Sequence, residues 1–189
     1  MTRRQPLGWI SDSSQTRALM VTALLAIGLL ITLQALNAPL RTDAAPSGIV
    51  SFELAGDRAT SEEILASWGP DGRVYAGISL GLDYLFLFTY TIAIGLACVL
   101  LADRLSARAA FWSTLGIWLA WGMIVAGAFD FVENYGLIRM LISEGKPWWP
   151  AIAYWCAVLK FVLVGIGLVY LVIGFSAQLI RRESQGSAT

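Results

Sequence analysis

Few residues in this chain could do chemistry. Asp83, Asp130, Glu133 and Lys160 are ionisable groups placed at or inside long apolar runs. Asp130, Glu133 and Asn134 stand at i, i+3 and i+4, so a helix puts all three on one face. Neighbouring carboxyl groups that share a proton form an acid–base dyad, and the same arrangement serves a proton relay or a cation site. Asp83, Asp130 and Glu133 are therefore the candidate catalytic residues. Lys160 is their charge partner, expected to pair with Asp83 or Asp130. Three carboxyls around one ammonium leave excess negative charge, so a poorly solvated cluster must retain a proton or bind a cation. Asn134 and Asn37 would position a ligand. Glu53, with apolar neighbours Phe52, Leu54 and Ala55, is either an exposed loop glutamate or the arm of a lid dipping toward the cluster. The architectural alternative is that Asp–Lys and Asn hydrogen bonds merely hold helices together, or that each charge marks a span end and reaches for water.

The elements that must position these groups are membrane helices. The chain has 189 residues, of which 57% are apolar and only 14% charged, against about 25% charged in an ordinary soluble domain. Four segments approach the roughly 20 apolar residues that cross a bilayer: about 18–37, 79–102, 109–130 and 152–180. None alternates with period 2, so helices rather than a membrane barrel are expected. The fold class is an all-α membrane protein, a four-transmembrane-helix bundle forming one domain, with a small outer cap between the first two spans. The apolar core of the first span, about 19 residues, exceeds the 7–15 of a signal peptide, although Ala44-Ala45 resembles a cleavage site.

Counted from its opposite charged end, each span brings a polar group to a similar height. Arg17 to Asn37 is 20 residues, Asp103 to Asp83 is 20, Arg108 to Asp130 is 22 and Arg181 to Lys160 is 21. At 1.5 Å per residue these are all about 30–33 Å. Gln34 lies one turn from Asn37. Apolar sequence resumes beyond Asp83, Asp130 and Lys160, which a simple span boundary would not require.

The cap covers residues 38–78. Ile49–Leu54 suits a short strand or interfacial turn. Thr60 and Glu63 read as a capping box for a short helix at about 61–68, which Gly69-Pro70-Asp71-Gly72 then stops. The polar Gln5–Thr16 stretch is expected on the membrane surface, and Trp148, Trp149, Tyr154 and Trp155 in an outer aromatic belt. Arg3, Arg4, Arg17, Arg104, Arg108, Arg181 and Arg182 against Arg41, Arg58, Arg73, Arg139 and Lys146 place both termini in the cytoplasm of a multi-pass plasma-membrane protein, as in a bacterial inner membrane. Cys98 and Cys156 read as buried apolar residues with no redox motif. The GxxxG at Gly77–Gly81 and the small residues Gly122, Ala126, Gly127, Gly165 and Gly167 read as packing sites within the bundle.

Composition narrows the function classes. There is no His, which removes His-ligated haem, most catalytic zinc sites and Ser-His-Asp triads; no cofactor or metal is expected. With Lys+Arg and Asp+Glu both 13, nothing favours nucleic acid. The expected partners are the bilayer, a lipid-like or small hydrophobic ligand, and a membrane-protein partner or second copy. Three readings follow: a pocket at the outer leaflet that binds or processes such a ligand, an assembly subunit with structural buried charges, and a proton- or cation-coupled transporter acting as an oligomer.

The layout resembles that of the lipoprotein signal peptidases, with four spans, a substantial outer segment between the first two, and aspartates at the outer face. That resemblance implies an aspartyl dyad with one carboxyl in each of the third and fourth spans. Asp130 stands at the corresponding end of the third span. The fourth span carries Lys160 instead of an aspartate, and the family's Asn-containing motifs are absent. Asp83 would have to supply the second carboxyl, so membership is not assigned.

Overall fold

The computed structural model describes residues 6–8, 10–106, 109–142 and 145–186. The described residues form helices and no strand: α1 (Asp12–Asn37), a 3-10 turn (Ala38–Leu40), α2 (Ile49–Glu53), α3 (Arg58–Leu105), α4 (Ala110–Leu141) and α5 (Trp149–Gly186). Four of these, α1, α3, α4 and α5, are long and apolar enough to cross a membrane. Of the Gln5–Thr16 stretch, Gln5 and Trp9 lie outside the described residues, and Asp12 onward already belongs to α1. Arg3, Arg4 and Arg108 from the orientation argument also lie outside them.

The bundle is built around α3. It packs on α4 and α1 along their lengths and more lightly on α5, which leans chiefly on α4. In the most apolar stretch of each helix, 56% of α3 residues are buried against 6% for α1. Helix α1 is thus held on one side only, and α1 and α5 barely touch. Small residues allow the close approaches in the bundle. A side chain at Gly116 would collide with the Tyr170 hydroxyl, and one at Gly127 with Thr91. Cys98 and Cys156 are free and buried.

The connection between α1 and the long part of α3 folds into its own small core. Leu40, Phe52, Ile64, Trp68, Leu80 and Leu137 bury their side chains together. The Phe52 and Trp68 rings meet edge to face at 5.3 Å, and Trp68 Nε1 donates to the Leu40 carbonyl at 2.7 Å. Two local expectations are settled here. Of strand or turn, Ile49–Glu53 is a helical turn, since the described residues include no strand to pair with and Asn37 Oδ1 accepts the otherwise orphaned Ile49 N–H at 2.7 Å. The short helix begins at Arg58 rather than near residue 61. Asp57 is its cap, with Oδ1 accepting the Thr60 N–H at 2.9 Å and Oδ2 accepting the Thr60 hydroxyl at 2.8 Å. A carboxylate that takes both donors outcompetes the Thr60–Glu63 box.

Gly69 ends that short helix as expected, but nothing resembling a loop follows. Its φ of 60° and ψ of −168° make a sharp kink. Pro70 then occupies the first position of the next helical stretch, where its missing N–H costs nothing. The chain therefore turns from connection to long helix within one residue.

Candidate functional site

The site grows from one face of α4. Asp130, Glu133 and Asn134 are 1%, 0% and 1% exposed, and Lys160 of α5 is 7% exposed. Such burial requires that each polar atom find a partner inside the protein. Lys160 Nζ donates to Asp130 Oδ1 at 3.1 Å and to Glu133 Oε1 at 3.0 Å, and lies 2.9 Å from Glu133 Oε2. Asn134 Nδ2 donates to Asp83 Oδ2 at 2.5 Å and reaches Asp130 Oδ1 at 3.4 Å. The polar layer read from helix lengths is a contiguous network linking α3, α4 and α5.

The pairing differs in part from expectation. Lys160 meets Asp130 as anticipated, but its second close partner is Glu133, not Asp83. Asp83 joins the cluster through Asn134. The reason is rotational: Asp130 and Glu133 lie on the stripe of α4 that faces α5, whereas Asp83 comes from α3 on the other side of Asn134. Tyr90 is a member that the sequence reading missed. Its hydroxyl donates to Asp130 Oδ2 at 2.9 Å. Seven residues separate it from Asp83, two helical turns on the same face, and that spacing was the available signal.

Glu53 comes from the connection. Helix α2 turns Phe52 into the small core and Glu53 the other way, toward Lys160, where Oε2 lies 3.9 Å from Nζ. It reaches the cluster and is not an exposed loop residue, with a side chain only 12% exposed. Burial holds its carboxyl above the ordinary 4.5; Lys160 opposes that shift, Asp130 adds to it, and a side-chain hydrogen bond to Glu133 opposes it. Asn37 has a task beyond the one expected. Nδ2 donates to the Ser47 carbonyl at 3.2 Å while Oδ1 caps α2. Its amide holds the connection in place, and the residue also lines the cleft beside the cluster.

Beside the cluster lies a cleft of about 490 Å³ between α1 and α5, floored by α3. Its stem is apolar: Ala26 and Leu30 of α1, Phe86 and Ala93 of α3, Val164 and Leu168 of α5. Its head is lined by Asp83, Asp130, Lys160 and Glu53, with Gln34 and Asn37 of α1 beside them, under Ile49 and Val50 of α2. Glu133 is buried behind Lys160 and does not line it. The stem departs from the head for some 12 Å along α5, from Lys160 to Leu168, at 1.5 Å per residue, so about 12 Å or more of apolar wall adjoins the charged end. Among the described residues no group of three or more His, Cys, Asp or Glu is arranged to hold a metal ion. No protein-family model, curated protein or solved structure matches this chain.

Proposed function

We propose that this chain is a four-pass membrane protein, both termini cytoplasmic, that binds an amphiphile from the outer leaflet of the plasma membrane. The supporting observation is the continuity of the cleft: an apolar stem between two helices that barely touch runs into a buried, charged head. A cavity of about 490 Å³ lies within the range of small-molecule sites. The gap between α1 and α5 would face the acyl chains, so a lipid-like molecule could enter sideways with its tail in lipid throughout. The connection 38–68 would be the outer cap, and Glu53 its contact with the ligand's head.

An acid–base reaction on such a ligand would fall to Asp83 and Glu53, which line the cleft, with Asp130 held by Lys160 and Tyr90. A transport role draws less support, because the stem leading away from the head is lined by Ala, Ile, Leu, Val and Phe and offers an ion no polar path. An assembly role accounts for the exposure of α1 but leaves the cleft without a purpose.

The test is native mass spectrometry of gently extracted protein, with Ala93→Phe to fill the stem and Ile166→Phe, exposed on the face of α5 opposite Val164 and Leu168, as control. One bound amphiphile per chain, lost in A93F and kept in I166F, is the expected result. Equal occupancy in all three proteins would overturn the reading.

A further inference from the structure

The chemistry of the ligand's head follows from a ledger of donors and acceptors, on the reading that the cleft holds an amphiphile. The charged and tyrosyl donors at the head are turned to its carboxyl groups, and the Gln34 amide, which lines the cleft without a hydrogen bond to the described residues, is a neutral donor left over. Lys160 Nζ is directed to Asp130 and Glu133, with Glu53 at 3.9 Å. Asn134 Nδ2 serves Asp83 and Asp130. The Tyr90 hydroxyl serves Asp130 Oδ2, and Asn37 Nδ2 serves the Ser47 carbonyl. The acceptors are in surplus. Asp83 lines the cleft with Oδ2 bonded to Asn134 and Oδ1 outside that bond. Glu53 Oε2 is buried and accepts no hydrogen bond from the described residues. Four carboxyl groups face one ammonium.

An anionic head would meet this excess of carboxyl groups with only neutral amide donors to receive it, and a like-charge approach in a sheltered site is costly. A head that brings positive charge and N–H donors answers the surplus of carboxyl charge and of acceptors. Aromatic faces add to the match: Phe86 and Tyr90 line the cleft beside the carboxyls, and Phe161 already lies under a cation, with Lys160 Nζ 4.8 Å from its ring centre. We infer that the cleft selects amphiphilic organic cations, an alkyl chain carrying a protonated amine, with Asp83 and Glu53 as the residues that receive the ammonium. A bare metal ion is the wrong occupant, since the carboxyl oxygens are not arranged as a coordination shell and the apolar stem would have no role.

The experiment is equilibrium binding to the full chain in uncharged maltoside micelles at pH 7, comparing radiolabelled dodecylamine, dodecanol and dodecanoate. These share a chain length and differ in head charge, and the detergent competes equally with each. Dodecylamine is expected to saturate at one per chain and to bind at least about tenfold more tightly than the other two, as one charge-assisted hydrogen bond implies. Asp83→Asn should remove most of that preference and leave dodecanol binding unchanged. Dodecanoate binding as tightly as dodecylamine, or equal binding of all three heads, would overturn the cation assignment; the cleft itself would stand if A93F still lowered every affinity. No saturable binding of any probe would overturn both. The comparison of heads on the unaltered protein needs no variant, so a D83N chain that failed to fold would not rescue the inference.

Discussion

Replacing Lys160 by Met tests whether the cluster is a mutually dependent network or a set of separate span ends. Methionine keeps the length and apolar stem of lysine and removes the ammonium. Lys160 is 7% exposed and stands 3.1 Å from Asp130 Oδ1 and 2.9 Å from Glu133 Oε2. At about 3 Å and an effective dielectric of about 20, each pair is attractive by about 5 kcal/mol. Removal of the buried lysine recovers several kcal/mol of its own desolvation, so the net loss from breaking the network is about 3–5 kcal/mol. Arg58→Ala is the contrast. It breaks the Arg58–Glu62 pair at 2.6 Å, where both side chains are about 60% exposed (63% and 60%), and the cost there is below about 1 kcal/mol. Reversible unfolding in mixed micelles of mild detergent and dodecyl sulfate, followed by tryptophan fluorescence, reads both changes. A second arm combines Lys160→Met with Glu133→Gln. Neutralising Glu133 along with Lys160 should restore part of the stability, because one carboxyl group fewer is then left buried against a missing cation. A K160M protein within about 1 kcal/mol of the parent would mean that Lys160 reaches water instead of the carboxyls, and the site as described would fall.

Glu53 gives the pH-dependent prediction. Its folded pKa is raised above 4.5, chiefly by burial, so docking of α2 is fully stabilised below 4.5 and loses that contribution as pH rises through the folded value. Hydrogen exchange of the 49–55 amides, corrected for intrinsic rates, should show protection falling with rising pH in the parent and a flat profile in Glu53→Gln, while Lys160, Asp130 and Glu133 remain to face it; identical profiles would contradict this. Asn37→Ala removes the cap on α2 and the bond to Ser47, at a local cost of about 1–3 kcal/mol. Limited proteolysis should then cut the 41–57 segment faster, and an unchanged rate would show that the small core alone holds the connection.

Much of this protein is legible without coordinates because its solvent is expected to be lipid. Backbone groups that find no water must bond within helices, so runs of apolar residues bounded by charges fix the number and type of α1, α3, α4 and α5; the lengths differ, since α3 beyond Gly69 and α4 run past the expected 79–102 and 109–130 to cover 70–105 and Ala110–Leu141. The i, i+3, i+4 spacing of Asp130, Glu133 and Asn134 fixes their common face for the same reason. Short elements were harder. The turn at 49–53 and the start of the helix at Arg58 depend on which side chain reaches an orphan N–H first. Asn37, twelve residues before Ile49 in sequence, settles the former, and Asp57 the latter.

What tertiary structure alone decided is rotation about the helix axes and the route of the connection. A sequence gives the height of a charge along its helix but not the direction it points relative to a neighbour. Hence Lys160 was expected to meet Asp83 or Asp130, and it meets Asp130 and Glu133. The arrival of Glu53 from a loop and the commitment of Asn37 to backbone partners depend on how 38–57 folds back over the bundle. The cleft depends on α1 and α5 failing to meet, a property of packing that no single segment encodes.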